Sequence, residues 1–246
     1  MKKWIRNLGI AFALLIILLV STKWILDEPL PKGVAGPEAE LVAQKMLESI
    51  NKEAWDSTQW VTWSYKGARK FVWDRKRGFL KVEWDENTSI LDLNDLSRSV
   101  SYQSNAQVED AEQVQKAWSI FCNDSFWLNA PSKVFDEGTT RYLVDMEDGN
   151  KGLLVSYSSG GVTPGDSYLW ILDENHRPVA WKMWVSILPF GGVKATWEDW
   201  QTTNTDAVIA TMHKVSFIDL PILDLKTGNN FSELNIPEDP FSVLSK

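Results

Sequence analysis

The spacing of hydrophobic positions changes character several times along the chain. Residues 8–20 (LGIAFALLIILLV) form an unbroken apolar run behind a basic start of Lys2, Lys3 and Arg6. Residues 27–37 then hold three Pro and two Gly, the composition of a linker. From Pro37 onward, Ala39, Val42, Ala43, Met46, Leu47 and Ile50 recur on one face at helical spacing. Pro37 suits a first helical position, and Glu38 and Glu40 suit a first turn. The period then drops to two. Val61, Trp63 and Tyr65 alternate with polar residues, as do Phe71 and Trp73, then Leu80, Val82 and Trp84, then Leu91 and Leu93, then Val100 and Tyr102. Lys66-Gly67, Arg77-Gly78 and Glu86-Asn87 punctuate these runs as tight turns.

A second helical stretch interrupts at residues 110–129, with Val114, Ala117, Trp118, Phe121 and Cys122 on one face and Pro131 as its stop. A second alternating series follows: Tyr142, Val144 and Met146; Leu153, Val155 and Tyr157; Tyr168, Trp170 and Leu172; Val179, Trp181, Met183 and Val185; Val193, Ala195, Trp197 and Asp199; then residues 208–218. The pattern predicts a mainly β (α+β) fold: one open antiparallel sheet of about eleven strands, a half-barrel with an N-terminal helix and a central covering helix. No linker separates the two meanders, so they read as halves of one sheet over residues 37–220. Residues 221–246 read as an irregular tail.

The N-terminus predicts a membrane address. Residues 8–20 alone match a signal-peptide core, and residues 5–26 match a span with Trp4 and Trp24 near the interfaces. No small-residue cleavage pattern and no following Cys are present, which excludes a lipoprotein anchor. Residues 1–26 are expected to be an uncleaved signal-anchor or a signal peptide, with residues 27–36 as linker. In both cases residues 27–246 are exported, on the periplasmic side of a bacterial inner membrane or free after cleavage.

Charge narrows the function. The net charge is -8, and setting aside residues 1–26 leaves 21 basic and 33 acidic residues. A body this acidic repels a phosphate backbone, so nucleic acid is not an expected partner. One Cys excludes an internal disulfide and a Cys-based zinc cage, two His argue against an imidazole-rich metal site, and no cofactor is expected. No nucleophile elbow or phosphate-binding loop is present, and no pair of catalytic groups stands out, so an enzyme is not predicted. Residues 145–150 read as a hairpin tip rather than a calcium loop, and the Gly- and Ser-rich residues 158–165 as a rim loop.

The remaining anomaly is Trp: 14 in all, 12 of them between Trp55 and Trp200. These rings either fill an ordinary core or line a site for an apolar ligand. The strand phase puts Trp63, Trp73, Val82, Trp84, Trp170, Trp181, Met183 and Trp197 on one sheet face, with the helix of residues 111–126 as its lid.

The order of elements resembles the periplasmic lipoprotein-carrier superfamily, the LolA/LolB-like half-barrel. The resemblance spans residues 37–220 and is best over residues 41–65 (helix, then strand) and 71–93 (meander). It implies a concave apolar face under helices and a lipid or lipoprotein acyl chain as ligand. The chain departs from it in lacking a lipobox Cys and in its expected uncleaved anchor, which favour a tethered domain that binds or presents a lipid over a shuttle. A glycan- or cell-wall-binding module would need solvent-exposed rings. A structural partner of an envelope complex would need a tightly filled concavity. If the face is a cavity, Val82→Arg abolishes ligand binding without unfolding; loss of folding marks Val82 as core.

Overall fold

The computed structural model describes residues 26–147, 149–160 and 163–245. The expected membrane segment lies outside these residues apart from Leu26. Among the described residues no helix is long and apolar enough to cross a membrane.

Helix α1 (Pro37–Ser49) begins at Pro37 and buries Ala39, Ala43, Met46 and Leu47, the stripe its spacing predicts. A short α2 (Lys52–Ser57) turns the chain into a first meander. It comprises β1 (Trp60–Tyr65), β2 (Arg69–Asp74), β3 (Phe79–Trp84), β4 (Asn87–Asp92), β5 (Val100–Gln103) and β6 (Ala106–Val108). The β1–β2 turn has φ 56° at Lys66 and 68° at Gly67, the double positive φ of a tight hairpin. Helix α3 (Ala111–Asn129) follows, capped by the Asp110 carboxylate, which accepts from the Gln113 amide at 3.0 Å. The second meander comprises β7 (Thr139–Asp145), β8 (Lys151–Tyr157), β9 (Ser167–Leu172), β10 (Pro178–Trp184), β11 (Val193–Thr196), β12 (Glu198–Thr202), β13 (Val208–Val215) and β14 (Ile218–Gly228).

These 14 strands form one open antiparallel sheet in the order β6-β5-β4-β3-β2-β1-β14-β13-β11-β10-β9-β8-β7, with β12 paired to β13. The sheet has more strands than the eleven expected, for three local reasons. The short β6 adds one strand. The run expected as a single strand through Trp197 breaks there into β11 and β12, with Asp199 at φ 53°. The third addition is β14, which continues through residues expected to be an irregular tail.

β14 joins the two meanders. Its first residues pair with β13 (Val215 opposite Ile218, Met212 opposite Pro221), and its later residues pair with β1 (Tyr65 opposite Ile222, Trp60 opposite Gly228). Pro221 stands where one partner gives way to the other, so its missing N–H interrupts neither ladder. Its carbonyl still accepts from the Lys66 amide at 2.9 Å.

Both sheet faces are covered. Helices α1 and α3 fill the concave face. On the convex face, the chain after β14 folds back as 3₁₀ turns and buries Leu234, Phe241 and Leu244 against Trp60 and Ile90. The Arg77 guanidinium fixes this return, binding the Asp239 carboxylate at 2.6 and 2.9 Å while holding the buried Asp74. Residues 27–36, expected as a linker, lie as a strap across the convex side of the second meander. Glu28 receives the Trp184 indole N–H on its carbonyl at 2.7 Å and pairs with Lys182 at 2.6 Å. Val34 exchanges two backbone bonds with Leu143. Gly33 permits this approach, since a Cβ there would lie 2.6 Å from the Tyr142 Cβ.

Phe241 is fully buried and stacks on Trp60 at 5.6 Å. Phe241→Ala is expected to cost about 3–5 kcal/mol. Urea unfolding checks this: the midpoint should fall with the m-value unchanged, because the return segment is part of the cooperative unit.

Candidate functional site

The concave face is the site the sequence singles out, and the structure divides its eight residues between two adjoining clusters. Trp63, Val82 and Trp84 are buried in a cluster on the first meander with Phe71, and Trp73 packs partly buried against it. Trp170, Trp181, Met183 and Trp197 are buried in a cluster on the second meander with Leu153, Val155, Tyr168 and α1. Trp127 of α3 packs against both.

The rings interlock. Trp63 stacks on Phe71 at 4.4 Å, and Phe121 of α3 meets Trp73 edge-on at 5.1 Å. Trp170, Trp181 and Trp197 form a closed triangle of 4.8, 5.0 and 5.2 Å. Phe126 and Trp127 of α3 sit on Trp181 at 5.7 and 5.1 Å. Helix α3 therefore lies over the aromatic floor as expected, but it seats directly on it. At one end of the contact, a cleft bordered by Ile50, Trp55, Leu128 and Trp200 has a volume of about 10 Å³, room for one water at most. Val82 has no exposed surface, so an Arg there would bury an unpaired charge.

The strand phase that groups these residues also takes in Phe71, which alternates with Trp73 in β2. Trp127 escaped detection because it lies off the stripe of Val114, Ala117 and Phe121. His213 escaped because one polar residue in a strand carries no sign of which face is covered. It is fully buried, 4.3 Å from Trp197 and 5.3 Å from Trp127, with its Nδ1 3.1 Å from the Thr196 carbonyl.

The polar groups of this interior are poorly matched. The indole N–H groups of Trp63, Trp73, Trp84, Trp170, Trp181 and Trp197 have no acceptor within the protein. Two other indoles are satisfied: Trp184 on the convex side donates to the Glu28 carbonyl at 2.7 Å, and Trp200 at the margin of the concave cluster donates to the Pro178 carbonyl at 3.1 Å. Buried indoles ordinarily find a partner. The inward face of α3 is itself partly polar, burying Gln113, Asp124, Ser125 and Asn129.

Asp124 is the ionic contact between α3 and the sheet. Its Oδ2 lies 2.7 Å from Arg69 Nε at the start of β2, without a well-aligned hydrogen bond, and Oδ1 accepts from the Asn123 amide at 2.9 Å. Burial outweighs both and pushes the carboxyl up to about 6. Burial also takes His213 down to about 4, and pushes the Cys122 thiol up to about 11, which leaves it protonated at neutral pH. Among the described residues no group of three His, Cys, Asp or Glu is placed to hold a metal ion.

No protein-family model matches the chain. No curated protein matches it either. One similar solved structure is described as a "putative outer membrane lipoprotein-sorting protein domain" from Vibrio parahaemolyticus. It has 10% sequence identity and a TM-score of 0.35, covering 83% of this chain and 100% of that one.

The two buried titratable groups oppose one another in mild acid. His213 has a lowered folded pKa, so its contribution is present above about pH 6.5 and is lost as pH falls toward 4. Asp124 has a raised folded pKa, so the folded state gains stability as pH falls through 6 toward the ordinary carboxylate range. Urea unfolding at about pH 7 and about pH 4.5 separates them. Relative to the parent, His213→Gln should gain about 2–3 kcal/mol on acidification and Asp124→Asn should lose about 2 kcal/mol.

Proposed function

We propose that this chain is an exported, membrane-tethered half-barrel that binds a lipid or acyl chain on its Trp-rich concave sheet, with α3 lifting as the lid. One observation carries the reading. Six indole donors face an apolar, aromatic interior and none is paired. Leaving a buried donor unsatisfied costs about 1–3 kcal/mol. Six such groups amount to on the order of 10 kcal/mol, comparable with the whole stability of a domain. An interior selected only for packing has no use for that burden. A ligand with an apolar body and ester, amide or carboxyl oxygens would bury against the rings and accept from the indoles.

The lid fits this role. Its inward face mixes Val114, Ala117, Phe121 and Leu128 with Gln113, Asp124, Ser125 and Asn129. An acyl chain offers the floor a more uniformly apolar cover. The tether rests on reading the basic start and apolar run of residues 1–26 as a signal-anchor, with residues 27–246 exported. Rings buried beneath a helix favour this ligand class over glycans, which stack on exposed aromatic platforms.

A brominated fatty acid tests the reading, because bromine quenches indole fluorescence on contact. Saturable quenching of the full chain is expected. Trp181→Phe keeps a ring but removes a donor, and should weaken binding about three- to tenfold while the protein stays folded by circular dichroism. Absence of saturable quenching would sink the proposal. It would leave the filled concavity as the packed core of a structural envelope domain.

A further inference from the structure

The sheet has two ends, and one of them is unusually apolar. The β13–β14 hairpin tip holds Phe217, 91% exposed, beside Ile218 at 44%. In the neighbouring strand Ala195 pairs with Val215, so β11 begins at the end of the sheet where this tip projects. The β10–β11 loop ahead of it carries Ile187, 69% exposed. Leu188, Pro189 and Phe190 follow and line an open cleft together with Asp27 and Trp184. Phe217 is the most exposed large apolar side chain among the described residues.

The chain enters the structure at the same end. The Asp27 carboxylate accepts from the Gly191 amide at 2.8 Å, and the Glu28 amide donates to the Gly191 carbonyl at 3.3 Å. Six residues lie between Val20, the end of the apolar run, and Asp27, a span of seven Cα–Cα steps. Fully extended, they reach about 25 Å. Whatever holds the apolar run therefore holds this rim within about 25 Å of itself.

We infer that this rim, formed by Phe217, Ile218 and the loop of residues 186–192, inserts into the surface of the bilayer that carries the N-terminal segment. The inference rests on the reading of residues 1–26 as a membrane anchor. The rim carries both signs of charge: Lys214 lies opposite Asp219 beside the hairpin tip, Lys194 is the second residue of β11, and Asp27 is bonded to Gly191. Insertion is therefore driven by apolar side chains rather than by anionic headgroups, and phosphatidylcholine alone is a sufficient surface. The β9–β10 turn around Asn175 lies at the opposite end of the sheet, directed away from the membrane.

The test uses the full chain with Cys122→Ala, reconstituted into phosphatidylcholine vesicles and labelled with an environment-sensitive fluorophore at Phe217→Cys or, as a control, at Asn175→Cys. Nitroxide-bearing lipids should quench the label at position 217 several-fold more than at 175, and its emission should shift to the blue only at 217. Equal, water-like signals at both positions in vesicle-bound protein would overturn the inference and leave the anchor standing. A blue shift at 217 without lipid quenching would also overturn it, in favour of contact between copies of the chain. Protein that fails to float with the vesicles would overturn the anchor itself and the inference with it. A second variant, Phe217→Glu with Ile187→Glu, changes only exposed positions and should fold normally while exposing the labelled neighbour Ser216→Cys to water.

Discussion

Backbone hydrogen bonds on the two sides of β14 make one sheet out of two meanders. His213 lies opposite Leu220 on one side and Val61 opposite Thr227 on the other. Without this strand the first six strands and the second series would each present an unpaired edge to the other. The aromatic clusters they carry would then lack a common floor. Hydroxyl groups reinforce the seam where β14 has left β13: Thr58, Thr205 and Thr227 link at 2.6 and 3.0 Å. The seam lies under the C-terminal half of α3, so Trp127 can touch both clusters only because β14 holds them side by side.

Much of the fold could be read from the residues because local and global preferences agree. Pro37 and Asp110 start helices where they stand, and Lys66-Gly67 and Gly78 turn the chain between strands of clear alternation. β14 was hidden because a proline stands in its middle and acidic residues flank it, features that argue against a central strand until its change of partner is known. The returning tail was hidden because Phe231, Leu234, Phe241 and Leu244 follow no period. They are brought inward by 3₁₀ turns and by the Arg77–Asp239 pair, a contact 162 residues apart in sequence.

The candidate site was legible in one respect only. Alternation says which residues share a face, and the structure divides the eight it grouped between two adjoining clusters. It does not say how closely the cover fits, whether a donor finds an acceptor, or that His213 would be enclosed between two indoles. Those depend on the helix that lands on the face and on its exact rotation. The sequence of α3 encodes an apolar stripe, but its last two turns interrupt that stripe with Asp124, Ser125 and Asn129. The mismatch between an aromatic floor and a partly polar cover exists only once the two have met.

The strap of residues 27–36 gives the molecule a mechanical character. A pull on the chain ahead of Leu26 does not reach the core directly. It loads first the paired bonds at Gly191, then the Glu28 contacts with Trp184 and Lys182, and only afterwards the bridge between Val34 and Leu143. These contacts lie in series along the strap, so they would yield one after another, as a zip opens. Every residue released lengthens the leash by about 3.3–3.6 Å while α1 and the sheet behind it stay intact. The strap thus acts as a fuse between whatever holds the N-terminus and the folded body: small forces set the reach of the domain, and only larger ones reach its packing.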